Sequence, residues 1–320
     1  ELLSLSEQEV RLSLSSKGAL MRSGLLTLDR NGSSSLREKL ELLSECFADT
    51  ISSEEIDPLS LLRGIVLPSA APHLCLKDYG HIHSEISILI PYIKKSIEAG
   101  RKGVNVFLHG SPGTGKSQLA KVIAKELSAE LFEVASEDAD GDPFGGVKRL
   151  RAFSAAQSFF AQRRSLILFD EVEDVFNDGD IFFGRKSTAQ TRKAWINRML
   201  EENPVPTLWL SNSISCLDPA FIRRFDMVFE LPVPPKQQRE LIMLNCCGNL
   251  LSKNHIARIA ESENLSPAVV ARTTAVVNLI TEELGSEGSE RAFERQYNWC
   301  AFVSDKCAQL EPHPVHIFVM

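Results

Sequence analysis

Several absences narrow what this chain can be. No stretch reaches the roughly 18 uninterrupted apolar residues that a membrane-spanning helix needs, so a membrane role is set aside. The seven cysteines, an odd number, include the adjacent Cys246 and Cys247 and show neither zinc-type spacing nor a secreted disulfide framework. They read as reduced thiols of a cytoplasmic protein. Positive charge is in short supply: 35 Lys and Arg against 42 Asp and Glu leave a formal net charge of −7. That balance argues against a protein whose main task is coating nucleic acid. Aromatic residues make up only 7%, and none are interleaved with basic residues as a platform for single strands. There are no internal repeats. The first residue is Glu1 rather than Met and no signal peptide follows, so the expectation is a fragment of a longer protein.

What is present is an ordinary balance of 43% apolar and 24% charged residues over 320 positions, enough for two or three domains. Residues 1–70 are rich in serine and short helical stretches. Ser6 and Glu9 have capping-box spacing, "NGSSS" at 31–35 reads as a loop, and Leu36, Leu40 and Leu43 suggest a helix after it. A small helical or winged-helix-like module is expected there, with "LPSAAPH" at 67–73 as a linker. Within 71–235, the runs "VNVFLHG", "LFEVAS", "SLILFDE", "PTLWLSN" and "MVFELPV" alternate with helical stretches. Such continuous apolar runs fit parallel strands buried on both faces, hence a doubly wound α/β domain with its ligand at the carboxyl ends of the strands. Residues 236–320 read as helical, with an apolar face through Val269, Val270, Val276, Val277 and Ile280 and a break at "GSEGSE", 285–290.

"GSPGTGKS" at 110–117 satisfies G-x-x-x-x-G-K-[ST] in full, between a strand and a helix. Gly110, Gly113 and Gly115 let backbone N–H groups approach anionic oxygens, with Ser111, Pro112 and Thr114 completing the loop. Lys116 brings a charge to the β- and γ-phosphates, Ser117 offers a hydroxyl to Mg²⁺, and the helix from Gln118 onward aims its positive end at the same place. Further on, "SLILFDEVEDVF" ends a strand in Asp170 and Glu171. Asp170 suits a magnesium ion and Glu171 suits a general base for an attacking water. Glu173 and Asp174 read as a solvated helix start. The site is expected to take ATP with Mg²⁺.

After the next strand comes "SISCLDPAFIRRFDMVFELPVPPKQQR", ending in Arg239. With the two motifs above, this run resembles the AAA family of P-loop ATPases over residues 76–280. The resemblance implies a P-loop doubly wound parallel sheet, a C-terminal helical lid over 236–320 and a small, mostly helical N-terminal module. It also implies that Asn212 orients the attacking water, although a turn-capping Asn is the plainer alternative. Arg223 and Arg224 then stand where the family places arginine fingers that reach a neighbouring subunit's nucleotide. The family often separates its two arginines, whereas here they are adjacent, so which one is the finger stays open. Asp78, Tyr79 and Gly80 occupy the place of an adenine-contacting segment. Ser266, Pro267 and Ala268 stand at the family's small-residue contact, and Arg272 is either a second sensor or an exposed helix arginine.

Members of the family that thread polypeptides grip them with an aromatic residue beside glycine. Phe144, followed by Gly145 and Gly146, is the candidate here, or else it anchors a loop. The basic residues of "KRLR" at 148–151, with Arg163, Arg164, Arg185, Lys186, Arg192 and Lys193, line a nucleic-acid channel, contact a neighbouring subunit or form a solvated face. The favoured reading is an ATPase forming a homo-oligomeric, hexameric ring that remodels an unknown protein partner. The alternatives are a DNA- or RNA-associated motor or loader and a weakly hydrolysing nucleotide switch.

Overall fold

The computed structural model describes residues 6–15, 18, 21, 23–28, 39–43, 58–138, 141–176, 192–263 and 265–309. The chain divides into two compact units. The first comprises Glu1–Leu74, Ser84–His109 and Ser117–Glu230; the second comprises Cys75–His83, Gly110–Lys116 and Leu231–Met320.

In the first unit, helix α1 (Glu7–Ser13) begins at the expected capping box: the Ser6 hydroxyl accepts from the Glu9 amide, and the Glu9 carboxylate accepts from the Ser6 amide. The helix expected through Leu40 and Leu43 is instead a strand. β1 (Leu26–Leu28) pairs antiparallel with β2 (Leu40–Leu42), Leu26 opposite Leu42. Leu25 and Leu43, at the ends of this ribbon, are buried in the main core, and that burial outweighs the helical spacing. Leu36 and the loop at 31–35 lie outside the described residues.

The linker reading also needs correction. After α2 (Pro58–Leu61), β3 (Val66–Pro68) adds an antiparallel edge strand to β5 (Glu130–Val134). Pro68 is tolerated because β3 pairs on one side only. Leu62, Ile65 and Val66 join the same core as Phe132 and Phe169.

The sheet has the order β3-β5-β6-β7-β4-β8, with β4 (Asn105–His109), β6 (Ser165–Phe169), β7 (Thr207–Ser211) and β8 (Met227–Glu230). All pairings except β3–β5 are parallel. All five apolar runs are therefore strands, and the P-loop α/β fold is the one expected. The strand before the P-loop and the strand ending in the acidic pair are separated by β7, so residues after all three emerge along one edge.

Helices α3 (His83–Glu98), α4 (Lys116–Glu126), α5 (Gly146–Phe160), α6 (Glu173–Phe176), α7 (Lys193–Glu202) and α8 (Pro219–Ile222) connect the strands. Every residue of β6 and β7 is buried, as continuous apolar runs require. Trp209 lies at the middle of β7, stacked on Phe169 and edge-on to Phe225. Its indole N–H donates to the Asn105 Oδ1 at 3.0 Å, while the Asn105 amide donates to the Leu200 carbonyl at 2.6 Å and to Asn203 at 3.1 Å. Asn105→Ala would strand several buried polar groups. We expect a loss of about 3 kcal/mol, read as a lower urea midpoint at unchanged slope.

The second unit contains a 3₁₀ turn (Leu76–Ile82), α9 (Lys236–Cys247), α10 (Lys253–Ile259) and α11 (Pro267–Gln309). Its core is built from Met243, Ile256, Leu265, Val270, Val277 and Phe293 with their neighbours. The buried stripe of α11 runs through Val270, Thr273, Thr274 and Val277; Val276 and Ile280, expected inside, are exposed. Spacing of three and four from Val270 selects the threonines: the Thr274 hydroxyl donates to the Val270 carbonyl at 2.8 Å, whereas the buried Thr273 hydroxyl has no hydrogen-bond partner among the described residues. "GSEGSE" does not break the helix, which continues for 43 residues. Glycine there costs each position about 1 kcal/mol, a penalty that helix propagation on both sides absorbs. Among the described residues no helix is long and apolar enough to cross a membrane.

Candidate functional site

β4 delivers the chain into Gly110–Lys116. Gly110, Gly113 and Gly115 have φ of 149°, 79° and 100°, backbone that glycine adopts without strain. Space excludes other residues too: a Cβ on Gly110 would lie 2.3 Å from the Leu231 carbonyl oxygen, and one on Gly113 would lie 2.9 Å from Ala268 and Ser266. The Ala268 amide donates to the Gly113 carbonyl at 3.2 Å, so the start of α11 lies against the loop. Thr114 closes the loop on itself, its hydroxyl donating to the Ser111 carbonyl at 3.0 Å. Ser111 and Pro112 are exposed at the tip. The Lys116 ammonium donates to the carbonyls of Gly110 at 2.7 Å and Ser111 at 3.1 Å, which fixes a positive charge at the loop.

Of the segment expected against adenine, Tyr79 is buried and its hydroxyl donates to the Gly115 carbonyl at 2.9 Å. Burial, helped by the Asp78 charge, holds the phenol well above its ordinary pKa, so it remains a donor. Tyr79 thus braces the loop. Asp78 accepts from the Cys75 amide through its carboxylate and from Gln238 through its carbonyl. Gly80 is exposed. Gln118 accepts from the His73 amide at 3.0 Å. Arg239 is buried on the carbonyls of Pro234 and Ala260, and Arg272 is exposed on α11.

Within the first unit, the Ser117 hydroxyl donates to Asp170 Oδ2 at 2.7 Å. The other Asp170 oxygen accepts from the Glu171 amide at 2.9 Å. These hard oxygen ligands fit a magnesium ion, which takes one or two protein oxygens and otherwise keeps water and phosphate. Glu171 is exposed with φ 52°, a left-handed conformation unusual for glutamate.

Glu173 and Asp174, expected to be solvated, are engaged instead. Glu173 Oε1 accepts from the Ser211 hydroxyl at 2.7 Å and the Asn212 amide at 2.6 Å. This fixes the end of β7 beside the end of β6. Asn212 is exposed there, and the turn that follows is capped by Ser213. Asp174 pairs with Arg149 at 2.5 Å; burial raises the Asp174 pKa, against the pull of that guanidinium. The sequence offered no signal for either pairing beyond the acidic spacing itself.

Phe144 is 7% exposed within the core, with the Lys148 ammonium 3.9 Å from its ring centroid, so it anchors the loop and presents no grip. In "KRLR", Arg149 and Arg151 are buried, which removes them from any channel wall or solvated face. Arg163 pairs with Glu130, Arg164 donates to the Leu127 carbonyl, Lys193 pairs with Asp218, and Arg192 lies over Trp195. Arg185 and Lys186 are outside the described residues. Arg224 pairs with Glu201 at 2.9 Å, whereas Arg223 is exposed and has no carboxylate partner among the described residues.

Residues 106–233 match the model of the ATPase family associated with various cellular activities (AAA). The chain is 30% identical over 173 residues to an ATP-dependent zinc metalloprotease FtsH of Mesoplasma florum, covering 50% of this chain and 26% of that protein. It is 30% identical over 143 residues to a putative 26S proteasome regulatory subunit homolog of Methanothermobacter thermautotrophicus, covering 43% and 38%. It is 29% identical over 198 residues to the protein CdcH of Halobacterium salinarum, covering 59% and 25%. The chain thus spans about a quarter to two-fifths of the length of these relatives. Sheet order, phosphate loop, acidic strand end and sequence matches agree: over residues 106–233 this chain resembles the AAA ATPases, with their nucleotide-binding α/β domain.

Proposed function

We propose that this protein binds ATP with Mg²⁺ and hydrolyses it as one subunit of a ring, coupling turnover to remodelling or unfolding of a protein partner. The observation that carries the reading is the Ser117 hydroxyl on Asp170, with the exposed Glu171 carboxylate beside it. Ser117 and Asp170 would hold a magnesium ion, which would supply charge neutralisation to the nucleotide phosphates. The loop amides and Lys116 hold the phosphate oxygens. Glu171 takes a proton from the water that attacks the γ-phosphorus, the bond to the β,γ-bridging oxygen breaks, and ADP leaves with that electron pair. Asn212 orients the water, and an arginine from the neighbouring subunit meets the charge that develops on the transferred group. Relatives named as a protease and a proteasome regulatory subunit homolog support a protein partner. The burial of Arg149 and Arg151 disfavours a nucleic-acid motor.

The test is ATP turnover by the purified chain, with Lys116→Ala alongside. Loss of a charged hydrogen-bond donor to phosphate should weaken ATP binding about 10- to 150-fold. A chain that binds ATP at the loop yet releases no phosphate at any protein concentration is a switch, and the hydrolytic reading fails.

A further inference from the structure

Arg149, among the largest fully buried side chains of the described residues, is a full charge in the core that the phosphate chemistry does not use. Burying a guanidinium is expensive unless its donors are met. Here the two terminal nitrogens are met by one short segment, 170–174. Nη2 donates to the Asp170 carbonyl at 2.6 Å, and Nη1 donates to the Glu171 carbonyl at 3.0 Å and to the Asp174 carboxylate at 2.5 Å. Nε donates to the Ala135 carbonyl at 3.2 Å, and the guanidinium lies 4.3 Å over the Phe169 ring.

The carbonyls of Asp170 and Glu171 are separated by only the φ and ψ of Glu171. A planar fork that holds both therefore fixes those two angles. Of these, φ is 52°, a left-handed conformation that is costly for a non-glycine residue and needs outside support. We propose that Arg149 is the positioning residue of Glu171: by clamping the carbonyls on both sides of its Cα, it holds the left-handed turn that aims the carboxylate at the attacking water. This rests on Glu171 being the base of the hydrolytic reading. Lysine cannot substitute, because an ammonium on a flexible stem lacks the rigid fork that spans two carbonyls.

The experiment compares the whole chain with Arg149→Lys, measuring kcat and KM for ATP, affinity for a fluorescent ATP analogue, and the fraction of analogue-binding subunits. A misaimed base should lower kcat per binding subunit about 10²-fold, with KM and analogue affinity within threefold. A purely structural role would lower the binding fraction and leave kcat per binding subunit unchanged. That result overturns the inference, as does a loss of affinity in step with kcat. Should Arg149→Lys not fold, Asp174→Asn decides: it removes the charge that seats the guanidinium, and kcat should fall about tenfold at unchanged KM. Wild-type kcat in that variant overturns the inference. A wild-type chain without turnover removes the hydrolytic reading and the inference with it, whereas wild-type turnover retained by Arg149→Lys removes the inference alone.

Discussion

Glu171→Gln should lower ATP turnover by about 10²–10⁴-fold while leaving nucleotide affinity near that of the wild type. The expectation follows from what the substitution keeps. The amide is the same size as the carboxylate, and both main-chain bonds at this residue, from its N–H to Asp170 and from Arg149 to its carbonyl, survive the change. The side chain is exposed, so no buried partner is lost. What disappears is the capacity to accept a proton at the strand end. Asp170→Asn is a different experiment, since it also disturbs the oxygen that receives the Ser117 hydroxyl and so weakens metal and nucleotide together. Single-turnover phosphate release, with affinity from a fluorescent analogue, separates the two. Turnover within tenfold of wild type in Glu171→Gln would assign the proton to another group.

The phosphate loop and the acidic strand end were legible as structure because each is a short motif whose local geometry is self-contained. Glycines at 110, 113 and 115 announce backbone that other residues avoid, and the structure places all three there. Strands were legible from unbroken apolar runs, since burial on both faces leaves no polar alternation to confuse. Errors fell where a distant contact decided. Leu40 and Leu43 have helical spacing, but the pairing of Leu40 with Leu28 made a strand of that segment. Val276 and Ile280 were placed inward because they are apolar; the helix instead buries Thr273 and Thr274, whose polarity hid them. Arg149, Glu173 and Asp174 looked like surface charge. Their partners are main-chain and side-chain groups of the acidic strand end and of β7, and sequence spacing carries no trace of a guanidinium folded inward. The same applies to Tyr79, assigned to the nucleotide by position and found holding the Gly115 carbonyl.

The adjacent arginines are where structure adds the most to sequence, and they carry the other large effect. Arg223→Ala should abolish most turnover, by about 10³-fold or more, without weakening nucleotide binding. Arg224→Ala should cost less than tenfold. The difference lies in their partners. Arg224 is held by Glu201 at 2.9 Å, a partly exposed pair whose loss removes at most about 1 kcal/mol of stability. Arg223 caps the C-terminus of α8, is exposed, and has no carboxylate partner among the described residues. An arginine that must reach a neighbour's phosphate has to be free of competing carboxylates, and of the two it is Arg223 that meets that condition among the described residues. Mixing makes the assignment decisive. A Lys116→Ala subunit cannot hold ATP well but still presents Arg223; an Arg223→Ala subunit holds ATP but lacks the finger. Each is nearly inert alone, and together they should regain a measurable share of turnover, because the intact arginine of one completes the intact loop of the other. Regain on mixing with Arg224→Ala instead would reverse the assignment. If no pair regains activity while both variants still assemble, the arginine acts within its own subunit and the ring is not needed for chemistry.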